Sequence, residues 1–172
     1  MEPAPDAHAA LVEEATKRSA LIWLDLPGAP QPRPAWHSWL DGRAYVVTGG
    51  DEQPLPGLEA ADLLAVTVPS KDKGGRLVTW LARCQVVEPG TEEWTAATAD
   101  LAAKRLNAAD GERQPERWAR ESQVVRLEPT GQVPEHPGRM PDDARLAPPP
   151  PTPATTLGAL PWVLGRRRGR RR

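Results

Sequence analysis

Residues 42–80 read GRAYVVTGGDEQPLPGLEAADLLAVTVPSKDKGGRLVTW. Two apolar runs typical of strands are separated by polar loops that contain glycine. The second loop surrounds the glycines at 74 and 75 with hydroxyl and basic side chains, namely Ser70, Lys71, Lys73 and Arg76. Backbone N–H groups in a glycine turn form an anion-binding concavity, and lysine and arginine add positive charge. The stretch therefore predicts a phosphate site at a turn between two strands, and a solvated hairpin is the alternative interpretation.

Strand patterns also lie on both sides of this stretch. Asp41 and Gly42 stand between two runs rich in Trp, Tyr and Val, which is a strong hairpin signal. Other strands are predicted at 20–26, 63–68, 76–87 and 123–127, and helices at 7–18 and 91–107. Most connections between strands are short enough for hairpins or meanders. The sequence therefore predicts a mainly β fold, a small antiparallel barrel with α additions, rather than a parallel βαβ sheet.

Proline defines the domain organisation. It accounts for 21 of the 172 residues and is concentrated after residue 130, where strand and helix periodicity also stop. The sequence predicts an N-terminal helix within residues 1–19 and a barrel domain at 20–129. Residues 130–172 are predicted to be a disordered, proline-rich linker with an arginine-rich tail.

The distribution of charge separates the barrel from the tail. The formal net charge is −1, but no Asp or Glu follows residue 150, so the body is acidic and the end is basic. An acidic body repels polyanions, which excludes a general nucleic-acid-binding surface on the barrel. Two hypotheses stay open for the tail: a solvated segment, or weak contact with nucleic acid or anionic surfaces through Arg166, Arg167, Arg168, Arg170, Arg171 and Arg172.

Cysteine and targeting signals favour a cytoplasmic protein. Cys84 is the single cysteine, so an intramolecular disulfide and a multi-cysteine metal site are excluded. The three histidines are too scattered to suggest a metal site. The N-terminus lacks the pattern of a secretory signal, and the apolar run at 157–165 is too short to span a bilayer. We expect no transmembrane segment, and we expect Cys84 and His37 to be packed strand residues rather than reactive groups.

The order of these motifs resembles the pyridoxamine 5′-phosphate oxidase-like family of FMN-binding split β-barrels, and more narrowly an actinobacterial-type subgroup. The resemblance covers residues 20–129. It rests on a Trp-containing strand at 36–39, an Asp-Gly hairpin at 41–42, Thr-Gly-Gly at 48–50, Glu-Gln-Pro-x-Pro-Gly-Leu at 52–58 and a Ser-Lys…Gly-Gly-Arg turn at 70–76.

The resemblance implies a homodimer with a flavin mononucleotide (FMN) site at the subunit interface and a possible oxidoreductase activity. It assigns the cofactor phosphate to Ser70, Lys71 and Arg76. It places Thr48 and Gln53 at the flavin edge or ribityl chain. A deazaflavin, F420, is an alternative cofactor. No catalytic residue is predicted, because such a cofactor carries the redox chemistry itself.

The loop after Thr48 departs from the family pattern. Family members commonly carry a lysine or arginine there, whereas this chain has Asp51 and Glu52 and no base up to Leu58. Carboxylates near a phosphate would oppose its binding. This departure favours a second hypothesis, a dimeric split barrel that has lost flavin and serves as a binding or interaction module. A third hypothesis is an adaptor directed by its basic tail.

Overall fold

A two-residue turn sets the register of one hairpin. Asp41 and Gly42 both have positive φ, 49° and 77°, as the central residues of a type I′ turn require. Glycine takes this conformation without cost and aspartate tolerates it better than most residues. The turn joins Ser38–Leu40 to Arg43–Thr48, so the hairpin expected from the Asp-Gly pair is confirmed.

The computed structural model describes residues 5–106 and 110–143, and seven antiparallel strands form its single sheet. The strands are β1 Leu21–Leu24, β2 Arg33–Trp36, β3 Ser38–Leu40, β4 Arg43–Thr48, β5 Leu63–Pro69, β6 Arg76–Val87 and β7 Gln123–Pro129. Their order in the sheet is β2-β1-β5-β6-β7-β4-β3, and every pairing is antiparallel. The sheet curls into a half-barrel. The predicted fold class, a mainly β antiparallel split barrel with α additions, is confirmed.

Three helices cover the sheet: α1 Pro5–Arg18, α2 Glu92–Lys104 and α3 Gln114–Glu121. The predicted cap of α2 is present, since the Thr91 hydroxyl accepts the N–H of Trp94 at 3.1 Å. The sequence predicts a charged loop where α3 lies. This segment has only one large apolar side chain, Trp118, and it is completely buried. Tertiary packing of that indole therefore stabilises a helix that the local pattern does not indicate.

The sheet buries apolar side chains on both faces. The larger cluster fills the concave side and includes Ile22, Leu24, Val66 and Trp80. A second cluster lies where Tyr45 and Val47 of β4 meet α2 and α3. Alternate residues of β4 enter alternate clusters, which explains why this strand is buried along nearly its whole length.

Residues beyond β7 continue along β6. Thr130 N–H donates to the carbonyl of Leu81 at 2.9 Å, and Leu81 N–H donates to the carbonyl of Gln132 at 3.0 Å. Contacts with the barrel therefore extend past Pro129, where the sequence predicts the start of the linker. Most of the predicted linker and tail, with all six terminal arginines, lies outside the described residues. No helix in the described part of the chain is both long enough and apolar enough to cross a membrane.

Candidate functional site

A row of side chains crosses four segments on the convex face of the sheet. Thr67 of β5 is paired with Trp23 of β1 on one side and with Thr79 of β6 on the other. Thr79 forms an isolated antiparallel bridge with Glu135 on its far side. Residues directly opposite each other in antiparallel strands project to the same face. Trp23, Thr67, Thr79 and Glu135 therefore stand side by side.

Glu135 and Arg76 meet at one end of this row. One Glu135 carboxylate oxygen, Oε2, accepts the Thr79 hydroxyl at 2.7 Å, and the other, Oε1, lies 3.6 Å from Arg76 Nη1. Arg76 Nη2 donates to the carbonyl of Pro141 at 3.4 Å. The Arg76 side chain is only 17% exposed and that of Glu135 only 7%. The guanidinium assigned to phosphate from the sequence is thus held against the segment that follows β7.

The turn between β5 and β6 is closed by its own hydrogen bonds. Ser70 N–H donates to the carbonyl of Gly75 at 2.7 Å, and Gly74 N–H donates to the carbonyl of Ser70 at 2.9 Å. The Ser70 hydroxyl accepts the N–H of Lys73 at 3.4 Å. Within residues 5–106 and 110–143, the exposed ammonium groups of Lys71 and Lys73 form no ion pair. The turn therefore offers two solvated cations, whereas these three N–H groups are already used internally.

Thr48 and Gln53 hydrogen-bond to the backbone around them. The Gln53 amide donates to the carbonyls of Trp36 and Val47 at 3.0 and 3.1 Å and accepts the N–H of Trp36 at 2.9 Å. The Thr48 hydroxyl donates to the carbonyl of Gln53 and accepts the N–H of Leu55, both at 3.0 Å. Both donors of the Gln53 amide are occupied. The two side chains thus fix the loop after β4.

The sequence-predicted site residues form two separate groups. Arg76 begins the 12-residue strand β6, and Ser70 and Lys71 precede it. Thr48 is paired with Gln123 at the start of β7, beside the last residues of β6. The curled sheet also connects the two groups at its other end, because the Gln53 amide bonds to Trp36 of β2, and only β1 and β5 stand between β2 and β6. The five residues thus lie on separate segments of one curled sheet.

A buried ionic cluster around Glu52 is the feature that sequence reasoning missed. The Glu52 side chain is completely buried and lies 3.0 Å from both Arg105 Nε and Arg117 Nη2. It also accepts the indole N–H of Trp118 at 2.9 Å. Arg117 Nε pairs in turn with Asp110 at 2.7 Å. The cluster joins the loop after β4 to the end of α2 and to α3.

The electrostatics of this cluster determine whether the acidic loop after β4 presents a free negative charge. Burial alone would raise the pKa of Glu52, but hydrogen bonds from Trp118 and Arg117 and the charge of Arg105 hold that pKa below its ordinary value. The carboxylate is thus ionised and neutralised by its own partners. Asp51, its neighbour, is exposed. The sequence alone suggests that Glu52 projects a free negative charge toward a ligand. In the structure that charge is neutralised by the arginines around it.

An open cleft of about 620 Å³ lies between this loop and the junction of α3 with β7. Thr48, Pro54, Arg120 and Ser122 contribute to its walls. The glycine at 50 allows the close approach of the two segments, because a Cβ there would lie 3.0 Å from the carbonyl oxygen of Glu121. Its lining also includes Glu59 and Glu121 beside the cation of Arg120, so the cleft is polar but does not favour an anion.

His37 and Cys84 are packed residues with little reactivity at neutral pH. His37 Nε2 donates to the carbonyl of Thr16 at 2.9 Å, and burial lowers the pKa of His37 to about 4. Burial, followed by the charge of Asp62, raises the pKa of the Cys84 thiol to about 11. The hydrogen-bonded histidine and the packed cysteine expected from the sequence are confirmed, but His37 lies between β2 and β3 rather than within a strand.

Comparison with known proteins relates the chain to others through its fold. No family model and no curated protein matches the sequence. Among solved structures, the conserved protein Rv2991 from Mycobacterium tuberculosis matches with a TM-score of 0.54 and 14% identity, over 77% of this chain and 84% of that one. HutZ, the heme storage protein from Vibrio cholerae, matches with a TM-score of 0.52 and 14% identity, over 77% and 94%. A protein named general stress protein 26 from Jannaschia sp. CCS1 matches with a TM-score of 0.51 and 12% identity, over 73% and 75%.

These structural neighbours include split-barrel proteins of the pyridoxamine 5′-phosphate oxidase-like type. The fold implied by the motif order is therefore found in the structure. At identities this low the likeness concerns the fold alone. The actinobacterial-type subgroup and the roles of individual residues stay predictions.

Proposed function

We propose that this chain is a homodimeric split-barrel protein that binds FMN, with Ser70, Lys71 and Arg76 serving the phosphate. The observation that carries the proposal is the basic turn between β5 and β6, whose lysines have no ion-pair partner among the described residues. Arg76 lies at its base, on the same face as the half-exposed indole of Trp23. A cationic turn beside an aromatic surface suits a ligand with a phosphate and a planar ring system.

The shared fold supports a planar cofactor. HutZ, which has this fold, is named a heme storage protein, and heme is a large planar group. When bound here, FMN would supply redox chemistry, and any enzyme activity would be that of an oxidoreductase. The deazaflavin F420 is the alternative cofactor. The protein residues would supply phosphate binding and a dry surface for the ring.

The homodimer is proposed from exposed apolar side chains. Leu21 and Trp23 of β1 and Leu63 of β5 are 43%, 39% and 54% exposed. They project from the convex face of two neighbouring strands, and a row of exposed apolar groups on adjacent strands is typical of an interaction surface.

Leu63→Lys and Trp23→Lys are expected to convert the dimer to a monomer at micromolar concentration. A lysine ammonium in the centre of an interface would lose its hydration without a partner, and a central tryptophan commonly contributes about 2 kcal/mol or more to association. Light scattering measures the change. Leu106→Lys is the matched control, because Leu106 is 77% exposed but follows α2, away from this face. A wild-type protein that is monomeric with and without flavin would contradict the proposed dimer.

Arg76→Ala is expected to weaken FMN binding by about 1.5 to 3 kcal/mol, the range for a hydrogen bond to a charged group. Riboflavin, which lacks the phosphate, should bind both proteins equally well. Fluorescence titration with each ligand measures the difference. Arg18→Ala is the control, since Arg18 is an exposed arginine in the last turn of α1, outside the β5–β6 turn and the proposed interface. Equal losses for FMN and riboflavin would move the phosphate away from this turn.

One observation favours a second candidate function, a split-barrel binding module without flavin. Arg76 already faces the carboxylate of Glu135, and Thr48 and Gln53 are engaged with the backbone. Freshly purified protein distinguishes the two candidates: flavin absorbance bands that persist through gel filtration support FMN binding, and a colourless protein that does not take up added FMN supports the module. A cytoplasmic location and contact of the basic tail with nucleic acid or anionic surfaces stay proposals.

A further inference from the structure

Glu135 occupies a position built for an anion. Its two carboxylate oxygens face different partners, the hydroxyl of Thr79 at 2.7 Å and the guanidinium of Arg76 at 3.6 Å. Its side chain is only 7% exposed. A hydroxyl donor and a cation that converge on one buried acidic group form the same arrangement that a ligand phosphate or carboxylate requires.

Two threonine hydroxyls form a chain of hydrogen bonds that ends at the Glu135 carboxylate. Thr67 Oγ1 and Thr79 Oγ1 lie 2.9 Å apart. Since Thr79 gives its single hydroxyl proton to Glu135, Thr67 must donate to Thr79. The relay runs from Thr67 through Thr79 to Glu135 and strengthens the donor that faces the carboxylate. The convex face thus carries an anion-binding position that is filled by a carboxylate of the same chain, that of Glu135.

Backbone hydrogen bonds to β6 hold Glu135 in this position. Thr79 N–H donates to the carbonyl of Glu135 at 2.9 Å, and Leu81 N–H donates to the carbonyl of Gln132 at 3.0 Å. These bonds extend the pairing of β6 beyond the end of β7. The segment has no regular strand of its own beyond isolated bridges, so its detachment would break few backbone bonds.

We propose that Glu135 is an internal anion that fills the subsite of Arg76 and Thr79, so that a phosphate group binds there only by displacing it. The inference rests on the proposed function and concerns the selectivity of the same site. Glu135 and a ligand phosphate are both negative and compete for one guanidinium. The cost of displacing Glu135 therefore reduces, without removing, the affinity that wild type gains from the phosphate of FMN over riboflavin.

The test is Glu135→Gln, which keeps the shape of the side chain and an oxygen for Thr79 but removes the charge. FMN is expected to bind this variant at least about tenfold more tightly than wild type, the lower end for a hydrogen bond to a charged group. Riboflavin affinity should not change, and inorganic phosphate should compete with FMN in the variant. Glu128→Gln is the control, because it removes one carboxylate near the end of β7, where Glu128 pairs with Arg43 and Arg126.

Glu135→Asp provides a second variant that keeps the charge but draws the carboxylate back by one methylene. It is expected to give a smaller gain for FMN, and it decides the question if Glu135→Gln does not fold. Where the wild-type protein binds FMN, the inference is overturned if neither variant binds FMN more tightly, or if riboflavin and FMN gain equally.

Inorganic phosphate separates this inference from the proposed function. If no variant binds flavin, the proposed function fails. The inference then stands only if phosphate raises the unfolding temperature of Glu135→Gln and leaves that of wild type unchanged. If wild type binds FMN in a phosphate-dependent way and Glu135→Gln shows no gain, the proposed function stands and the internal anion is wrong.

Discussion

Glu52→Ala is expected to lower the free energy of unfolding by about 3 to 5 kcal/mol, the usual cost of breaking a buried ion pair by removing one partner. The substitution leaves the guanidinium groups of Arg105 and Arg117 without their shared carboxylate and the indole N–H of Trp118 without an acceptor. A domain of this size has a total stability of about 5 to 15 kcal/mol. Urea unfolding followed by tryptophan fluorescence measures the loss.

Asp51→Ala is the matched control for this experiment. It removes the same charge from the neighbouring position of the same loop, but Asp51 is exposed, so its substitution should change stability by no more than about 0.5 kcal/mol. Glu52→Gln should fall between the two, because the amide oxygen still accepts one hydrogen bond. If Glu52→Ala and Asp51→Ala unfold at the same urea concentration, the cluster does not stabilise the fold as the contacts indicate.

Local signals account for the parts of the fold that were predictable from sequence. Asp41 and Gly42 specify a turn by their own backbone preferences, and Thr91 caps α2 through a bond to a residue three positions away. Such interactions are contained within a few residues. The helix α3 is different, because its buried indole bonds to Glu52, 66 residues earlier in the chain. No local pattern reports a contact of that separation.

The same distinction applies to the candidate site. The basic residues of the β5–β6 turn are visible in the sequence because Lys71, Lys73 and Arg76 lie within one stretch of six residues. Glu135 is not, since it lies in a proline-rich segment and reaches Thr79 across 56 residues. A carboxylate in such a segment is typical of a solvated linker. Its burial follows only from the continued pairing with β6.

Thr48 and Gln53 show a second limit of sequence reasoning. Their side chains are polar and lie in a loop that resembles a cofactor loop, but a sequence does not state how many of their hydrogen bonds are already made. In the structure, the Gln53 amide bridges Trp36 and Val47. A polar residue that completes the backbone bonds of a loop has the same sequence signature as one that binds a ligand.

The stability of the protein is expected to fall by about 2 kcal/mol between pH 7 and pH 5, because His37 is buried without charge. Burial lowers its pKa from 6.5 to about 4 in the folded state. Between these values the unfolded chain binds a proton that the folded chain does not. The contribution is therefore complete above pH 6.5 and is lost as the pH falls toward 4. Urea unfolding at pH 7, 6 and 5 measures the slope.

His37→Gln isolates this contribution. The glutamine amide can still donate to the carbonyl of Thr16, as His37 Nε2 does at 2.9 Å, but it does not titrate. Its stability should vary much less over the same interval. Glu52 titrates in a different window, because its pKa is lowered below 4.5 and its contribution is lost only at more acid pH. If wild type and His37→Gln lose stability in parallel between pH 7 and 5, the imidazole is protonated in the folded state and the loss belongs to other groups.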